Sequence, residues 1–392
     1  MVTLTEYQER AYPIWKDAGF RGIIRGTTGS GKTILGCECI RKFREEYPNT
    51  SVVIVTTAGG RERKVVNAWK NELRNFGIED VDVFTYLQAA NMTMRKRGME
   101  FVDSYFHKDD VKLDEPMYDL MIADECHHLA NPQEGKVMQM NPIFVLGLSA
   151  TPEESTKILG EPIDAITVDE ARVCPFTVHM VRFDPTIDEM ERYNRWDKAM
   201  KEHALKVSDG SRESLPPGTD GNYDFLTMKR REACYTFESR IPIAVNLVKK
   251  HIGERTVIFT ERTIHAHKIE RALLDEGIRC SMNVKDKNTF KDFEEHRTNV
   301  LVMVKSLREG WDDPTLSVCI MASLSTRPKI ITQTMGRTMR INPTDPSKHA
   351  HNYLLLANGT SDHRVKKSLD YPNDKFKEET PESLFDKELE EF

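Results

Sequence analysis

The chain has 392 residues, 39% hydrophobic and 30% charged, which fits a soluble globular protein with room for two or three domains. No run of eighteen apolar residues occurs and the opening MVTLTEYQER has no apolar signal region, so a membrane span is excluded and the cytoplasm is expected, the host cytoplasm if the gene is viral. The net charge of −6 argues against an evenly basic surface, but the last twenty residues hold eight acids and three bases, leaving the rest near neutral.

From the N-terminus, GIIR (22–25) reads as a short strand that runs into GTTGSGKT (26–33). The spacing G-x-x-x-x-G-K-[ST] is that of a phosphate loop. Backbone N–H groups of Gly26, Thr27, Thr28, Gly29, Ser30 and Gly31 would wrap phosphates, Lys32 would reach their β/γ end, and the Thr33 hydroxyl would join Mg²⁺. A helix starting near Lys32 adds the positive end of its dipole. Further apolar runs follow at SVVIVTT (51–57), VDVFTY (81–86), YDLMIADE (118–125) and IFVLGLSAT (143–151), separated by helical stretches. Strands this apolar indicate a parallel sheet covered on both faces. The fourth ends in Asp124 and Glu125, where an open α/β sheet presents ligand-binding groups. An aspartate there holds Mg²⁺, mostly through water, and the adjacent glutamate orients or deprotonates an attacking water. Zinc at the neighbouring His127 and His128 is disfavoured, because adjacent helical residues point about 100° apart and no third ligand is evident.

Residues 185–240 change to helical spacing, interrupted by SDGSRESLPPGTDGN. The strand pattern resumes with RTVIFTE (255–261), CSMNV (280–284), NVLVMVKS (299–306), SVCIMAS (317–323) and NYLLLAN (352–358), giving a second α/β domain without a phosphate loop. After about residue 365 the chain is polar and ends in LFDKELEEF, a short helix or a disordered tail. The seven cysteines lack C-x-x-C spacing and read as buried thiols. The basic clusters GGRERKVVNAWKNELR, MRKR (94–97) and MKRR (228–231) are candidate polyanion contacts, though each also suits a solvated helix face.

In order, these stretches resemble the motifs of superfamily 2 helicases and translocases, whose strand-end signature is D-E-x-H. GTTGSGKT resembles motif I, DECH (124–127) motif II, and LSAT (148–151) motif III. The resemblance implies that His127, Ser149 and Thr151 couple the nucleotide site to a nucleic-acid cleft. REGWDDP (308–314) is similar to motif V, in which Gly310 and Asp312 would link nucleotide and nucleic acid. QTMGRTMR (333–340) is similar to motif VI, with Gln333, Gly336, Arg337 and Arg340 on its pattern. The chemistry there is general: an arginine brought from a second domain stabilises the charge on a γ-phosphoryl group in flight, raising turnover by about 10³ to 10⁵. Arg337 and Arg340, three apart, are expected to share one helical face. LTEYQERA (4–11) is similar to the Q-motif, where Gln8 would read the adenine edge with Tyr7 or Arg10 in support, favouring ATP. TTAGGRER (56–63), FTY (84–86) and FTER (259–262) resemble motifs Ia, Ib and IV. Thr57, Gly59, Arg61, Thr85, Thr260 and Arg262 would then contact a nucleic-acid backbone, without reading sequence.

The implied architecture is two RecA-like domains in tandem: 1–165 binding ATP, 166–240 a linker with a helical insertion, 241–365 the second domain, and 366–392 an acidic tail. Motif VI beginning with Gln333 and the form of REGWDDP lean away from DEAD-box RNA helicases. They lean toward type III restriction motors and compact phage or repair helicases, acting on branched or duplex DNA. An RNA helicase or RNA-stimulated ATPase is the alternative enzyme class. A nucleotide-gated clamp, or subunit of a restriction or repair assembly, is the non-hydrolysing one.

Overall fold

The computed structural model describes residues 3–26, 29–58, 64–96, 115–167, 170–171, 173–208, 221–304, 313–324, 328–369 and 371–385. Two compact units divide the chain between Val173 and Cys174. In the first, strands β1 (Arg21–Gly26), β2 (Val52–Thr56), β3 (Val81–Thr85), β4 (Leu120–Asp124), β5 (Phe144–Ser149) and β6 (Pro162–Ile166) form one sheet. Their order is β3-β2-β4-β5-β1-β6 and every pairing is parallel. Its helices are α1 (Glu6–Asp17), α2 (Lys32–Glu46), α3 (Lys64–Asn75), α4 (Tyr86–Lys96) and the single turn α5 (Thr156–Leu159).

Successive residues of each central strand are apolar yet point to opposite faces. Ile24, Val52, Ile54 and Leu148 pack with Trp15, Phe43 and Trp69, whereas Ile23, Val53, Val55 and Val145 pack with Tyr86 and Leu129. Two buried faces are what an all-parallel sheet requires. An aromatic cluster seals the first of them: Phe20 meets Phe43 edge-on with centroids 4.9 Å apart, and Phe43 meets Phe144 at 5.1 Å.

The second unit holds β7 (Phe176–Phe183), β8 (Arg255–Thr260), β9 (Cys280–Asn283), β10 (Val300–Val304), β11 (Leu316–Met321), β12 (Ala350–Ala357) and β13 (Phe376–Glu379). The order is β13-β7-β12-β11-β8-β10-β9, again all parallel. The helices are α6 (Ile187–Ser208), α7 (Gly221–Tyr235), α8 (Arg240–Lys250), α9 (Thr263–Asp275), α10 (Phe290–Glu294), α11 (Pro328–Thr338) and α12 (Pro381–Phe385). Arg240 is fully buried; it donates to Asp362 Oδ2 at 2.6 Å and to the Cys234 carbonyl, between the rings of Phe183 and Phe237.

The structure differs from the sequence-based plan at both ends of this unit. Residues 166–240 are not a free-standing linker: β7 pairs with β12 along its whole length, and only α6 and α7 are the expected helical insertion. The acidic tail is not simply polar chain either, since β13 extends the sheet from β7 and Leu384 of α12 is buried in the core. Polar cross-strand pairs hide this pairing from hydropathy: His179 Nδ1 lies 2.8 Å from Glu379, and Arg182 Nε donates to Glu378 at 3.0 Å. Among the described residues no helix is long and apolar enough to cross a membrane.

Candidate nucleotide site

β1, β5 and β4 are adjacent in the first sheet, so their carboxyl ends deliver three polar segments to one edge. The register pairs Arg25 with Ser149 and Asp124 with Leu148. After Gly26 the chain passes through Gly29 and Gly31, at φ of 87° and 78°, into α2 at Lys32. Gly31 is required twice over: its left-handed backbone favours glycine, and a Cβ there would lie 2.6 Å from Gln8 Nε2. Lys32 is 8% exposed; its Nζ donates to the Gly26 carbonyl at 3.0 Å and lies 3.9 Å from Glu125 Oε1.

Asp124, the last residue of β4, is 7% exposed. Its Oδ2 accepts two neutral hydrogen bonds, from Thr56 Oγ1 and Trp69 Nε1, both at 2.8 Å. The Tyr86 hydroxyl, its pKa driven far up chiefly by burial, donates to the Asp124 carbonyl at 2.9 Å. Glu125 then leaves the strand at φ 51° and ψ 52°. A left-handed glutamate costs roughly 1 to 2 kcal/mol. The turn brings its carboxylate toward Lys32, and the Ser149 hydroxyl donates to Oε2 at 3.5 Å. His127 Nδ1 lies 3.1 Å from Ser149 Oγ, which also accepts from the Thr151 N–H at 3.1 Å. The sequence-assigned coupling residues His127, Ser149 and Thr151 are thus connected to Glu125 by hydrogen bonds. His128 belongs elsewhere: it stacks on Tyr86 and pairs with Glu134 at 2.8 Å.

These residues fit a triphosphate with its metal. Ser30 Oγ is buried in the phosphate loop with no hydrogen-bond partner among the described residues, and the first turn of α2 has no acid to neutralise its dipole. With both donors on Asp124 Oδ2, no donor among the described residues bonds its Oδ1. Thr33 sits on the first turn of α2. Thr27, Thr28, Gly59, Arg61, Gly310 and Asp312 lie outside the described residues.

Several sequence-based assignments change. The Gln8 amide is committed within the chain, its Oε1 accepting from the Thr5 N–H at 3.0 Å and its Nε2 donating to the Gly31 carbonyl at 3.3 Å. Tyr7 donates its hydroxyl to the Ser30 carbonyl. Both side chains contact the phosphate loop, Gln8 at Gly31 and Tyr7 at Ser30. Arg10 pairs instead with Asp164 at 3.1 Å and with Glu170, whose pKa its hydrogen bond pulls down to about 2.

In the second unit, Gln333 is half-buried on α11, Gly336 is buried, and Arg337 is 9% exposed. Arg340 lies beyond the end of α11, so it does not share a helical face with Arg337. At the helix end the Thr338 hydroxyl lies 2.7 Å from the Met335 carbonyl and 2.9 Å from Asn352 Oδ1, and Lys348 Nζ donates to the Arg340 carbonyl at 2.8 Å. Thr260 is 1% exposed and bound to His265 and Ser323, at 3.0 and 3.1 Å, so its hydroxyl is not available at the surface. Burial holds His265 down to about 4, keeping it neutral. Arg262 is half-exposed, 3.7 Å from Glu232 and over the Tyr235 ring. Thr57 and Thr85 are buried, and Thr85 caps α4, its Oγ1 accepting from the Gln88 N–H at 3.3 Å. Sequence reasoning missed Thr56, Trp69 and Tyr86. Only the three-then-four spacing of Val66, Trp69 and Leu73 on α3 hinted that the indole faces inward.

A strand, a glycine loop, a helix and a neighbouring strand closed by Asp-Glu define a P-loop nucleotide-binding protein of the parallel α/β class. Residues 1–154 match the family described as type III restriction enzyme, res subunit, and residues 239–342 match the helicase conserved C-terminal domain. With these two domains in this order, the chain belongs to the superfamily 2 helicases. It is 24% identical over 379 residues to a Haloarcula marismortui protein named as a candidate DNA 3'-5' helicase, Rad25, covering 92% of this chain and 53% of the relative. The chain therefore spans about half the length of that relative.

Solved structures share the fold at low identity. The ATP-dependent Type ISP restriction-modification enzyme LlaBIII bound to DNA gives a TM-score of 0.58 at 13% identity, over 97% of this chain and 31% of that one. Saccharomyces cerevisiae Dbp5 bound to RNA and ADP BeF3 gives 0.58 at 13%, over 98% and 92%. The Pyrococcus furiosus Hef helicase domain gives 0.53 at 16%, over 93% and 98%.

Proposed function

We propose that this chain is an ATP-dependent DNA helicase or translocase. The observation that carries this is the buried edge where Lys32 Nζ lies 3.9 Å from Glu125 Oε1, beside an Asp124 carboxylate fixed by two donors. Lys32 binds the β/γ-phosphates, whose charge separates it from Glu125, and Glu125 then accepts a proton from the attacking water. Bound Mg²⁺, held by Thr33 and, mostly through water, Asp124, would neutralise charge on the phosphate oxygens. Ser149 and His127 hold the Glu125 carboxylate in place. Arg337, with Arg340, supplies positive charge to the transferring phosphoryl group, which makes hydrolysis depend on how the two units stand to one another. The nucleic acid is held by its backbone, so binding weakens steeply as salt rises. DNA is favoured over RNA by the form of motif VI and by the likeness to the Haloarcula relative, which is named as a DNA helicase.

The test is ATP hydrolysis measured with single-stranded, duplex, forked and four-way DNA and with RNA, at two salt concentrations. DNA stimulation that disappears in Lys32→Ala, and falls about 10² to 10⁴-fold in Glu125→Gln, supports the assignment. Stimulation by RNA alone transfers the activity to RNA. No turnover with any polymer leaves a nucleotide-gated clamp.

A further inference from the structure

Trp69 lies in no motif, yet its indole N–H donates to the carboxylate that ends β4, at 2.8 Å. The ring is fully buried, on the second turn of α3, and packs in the core between α2 and β5. The opposing surface of α2 is cut to fit it. A Cβ on Gly36 would lie 2.6 Å from Trp69 Cη2 and 3.1 Å from Cζ3, so this mid-helix glycine accepts a helix-propensity cost of about 1 kcal/mol in exchange for ring space. The register explains the second donor. Val55 pairs with Ala123 across β2 and β4, which sets Thr56 beside Asp124, and its hydroxyl reaches the same oxygen as the indole.

We propose that Trp69 is a positioning residue that sets metal affinity at Asp124, resting on the ATPase reading above. An indole N–H can only donate and does not ionise in the working range. It therefore fixes one carboxylate oxygen without competing for the metal's charge. Two donors on Oδ2 stop the carboxylate from rotating and leave Oδ1, which no donor among the described residues bonds, as the oxygen for a metal or its water. Outer hydrogen bonds of this kind typically govern about 10 to 100-fold in metal affinity. Without the indole, Thr56 alone holds Oδ2, and the carboxylate turns more freely.

Equilibrium binding of a fluorescent, non-hydrolysable ATP analogue tests this, titrated with Mg²⁺ and repeated in EDTA. Trp69→Phe keeps most of the ring and deletes the donor. Its Mg²⁺ half-saturation is expected to rise about 10 to 100-fold, while nucleotide affinity in EDTA stays within about twofold of wild type, since the phosphate loop is untouched. Gly36→Ala retains the indole and suits a helix, but pushes the ring away; a smaller rise, again confined to the Mg²⁺-dependent part, is expected. Equal weakening with and without Mg²⁺ in Trp69→Phe would mean that the ring only packs, and overturns the proposal. So does an unmoved half-saturation in both variants. A wild-type protein that binds the analogue without any Mg²⁺ dependence overturns the ATPase reading as well, whereas wild-type dependence with unmoved variants overturns this proposal alone.

Discussion

The two units repeat one architecture and use the carboxyl edge of the sheet differently. In the first, the edge carries ionisable groups held within reach of one another: Lys32, Asp124 and Glu125, backed by Ser149 and His127. In the second, the end of β8 is occupied by a neutral network, Thr260 with His265 and Ser323, and the arginine of interest, Arg337, is carried by α11. Buried charge in the second unit has another use. The Arg240–Asp362 pair ties α8 to the segment after β12. The same fold thus places charge for chemistry in one copy and for cohesion in the other.

The sharpest way to break this contrast is Arg337→Ala. If the second unit contributes chemistry, turnover falls by about 10³ to 10⁵ while binding of a fluorescent ATP analogue stays close to wild type; a loss below tenfold would confine the reaction to the first unit. Asp362→Ala tests the cohesive role. Leaving the buried Arg240 guanidinium uncompensated should destabilise the second unit by about 3 to 5 kcal/mol in urea unfolding, with nucleotide binding by the first unit retained below the transition.

A smaller effect is expected from pH. Burial pulls His179 and His351 down to about 4; for His179 the adjacent Glu379 opposes the shift, and for His351 the charges of His251 and His179 add to it. Both are neutral in the folded state, so above the ordinary histidine pKa of about 6.5 their burial costs no deprotonation. As pH falls from there toward 4 the unfolded chain takes up protons that the folded one does not, and stability declines across that window. Urea unfolding followed by amide protection in β12 should show the decline between pH 7 and pH 4.5, and His351→Gln should flatten it.

Much of this was legible in the sequence where local chemistry and position coincide. GTTGSGKT had to be a loop between strand and helix, and five apolar runs in each half had to be buried parallel strands; both appear as expected. The edge strands β6 and β13 were missed for a common reason, and β7, which lies between β13 and β12, was missed along with β13. An edge strand satisfies its outer face with charge, so FKEE at 376–379 looks like solvated tail until Arg182 and His179 are known to stand opposite. Side-chain direction was the other blind spot. Gln8 and Thr260 have donors and acceptors suited to a ligand, but only tertiary structure shows that Gly31 and His265 already engage them. Trp69 was invisible because a buried indole and a core-filling ring have the same spacing on a helix.

The short strand β13 has a practical consequence. It covers the outer side of β7, an eight-residue strand whose other side is paired with β12. A protease cutting between Leu369 and Phe376 would uncover that ladder's free N–H and C=O groups along with the apolar seat of Leu384. Preparations nicked there are expected to clump or precipitate on storage, even while the phosphate-loop half of the molecule still looks intact.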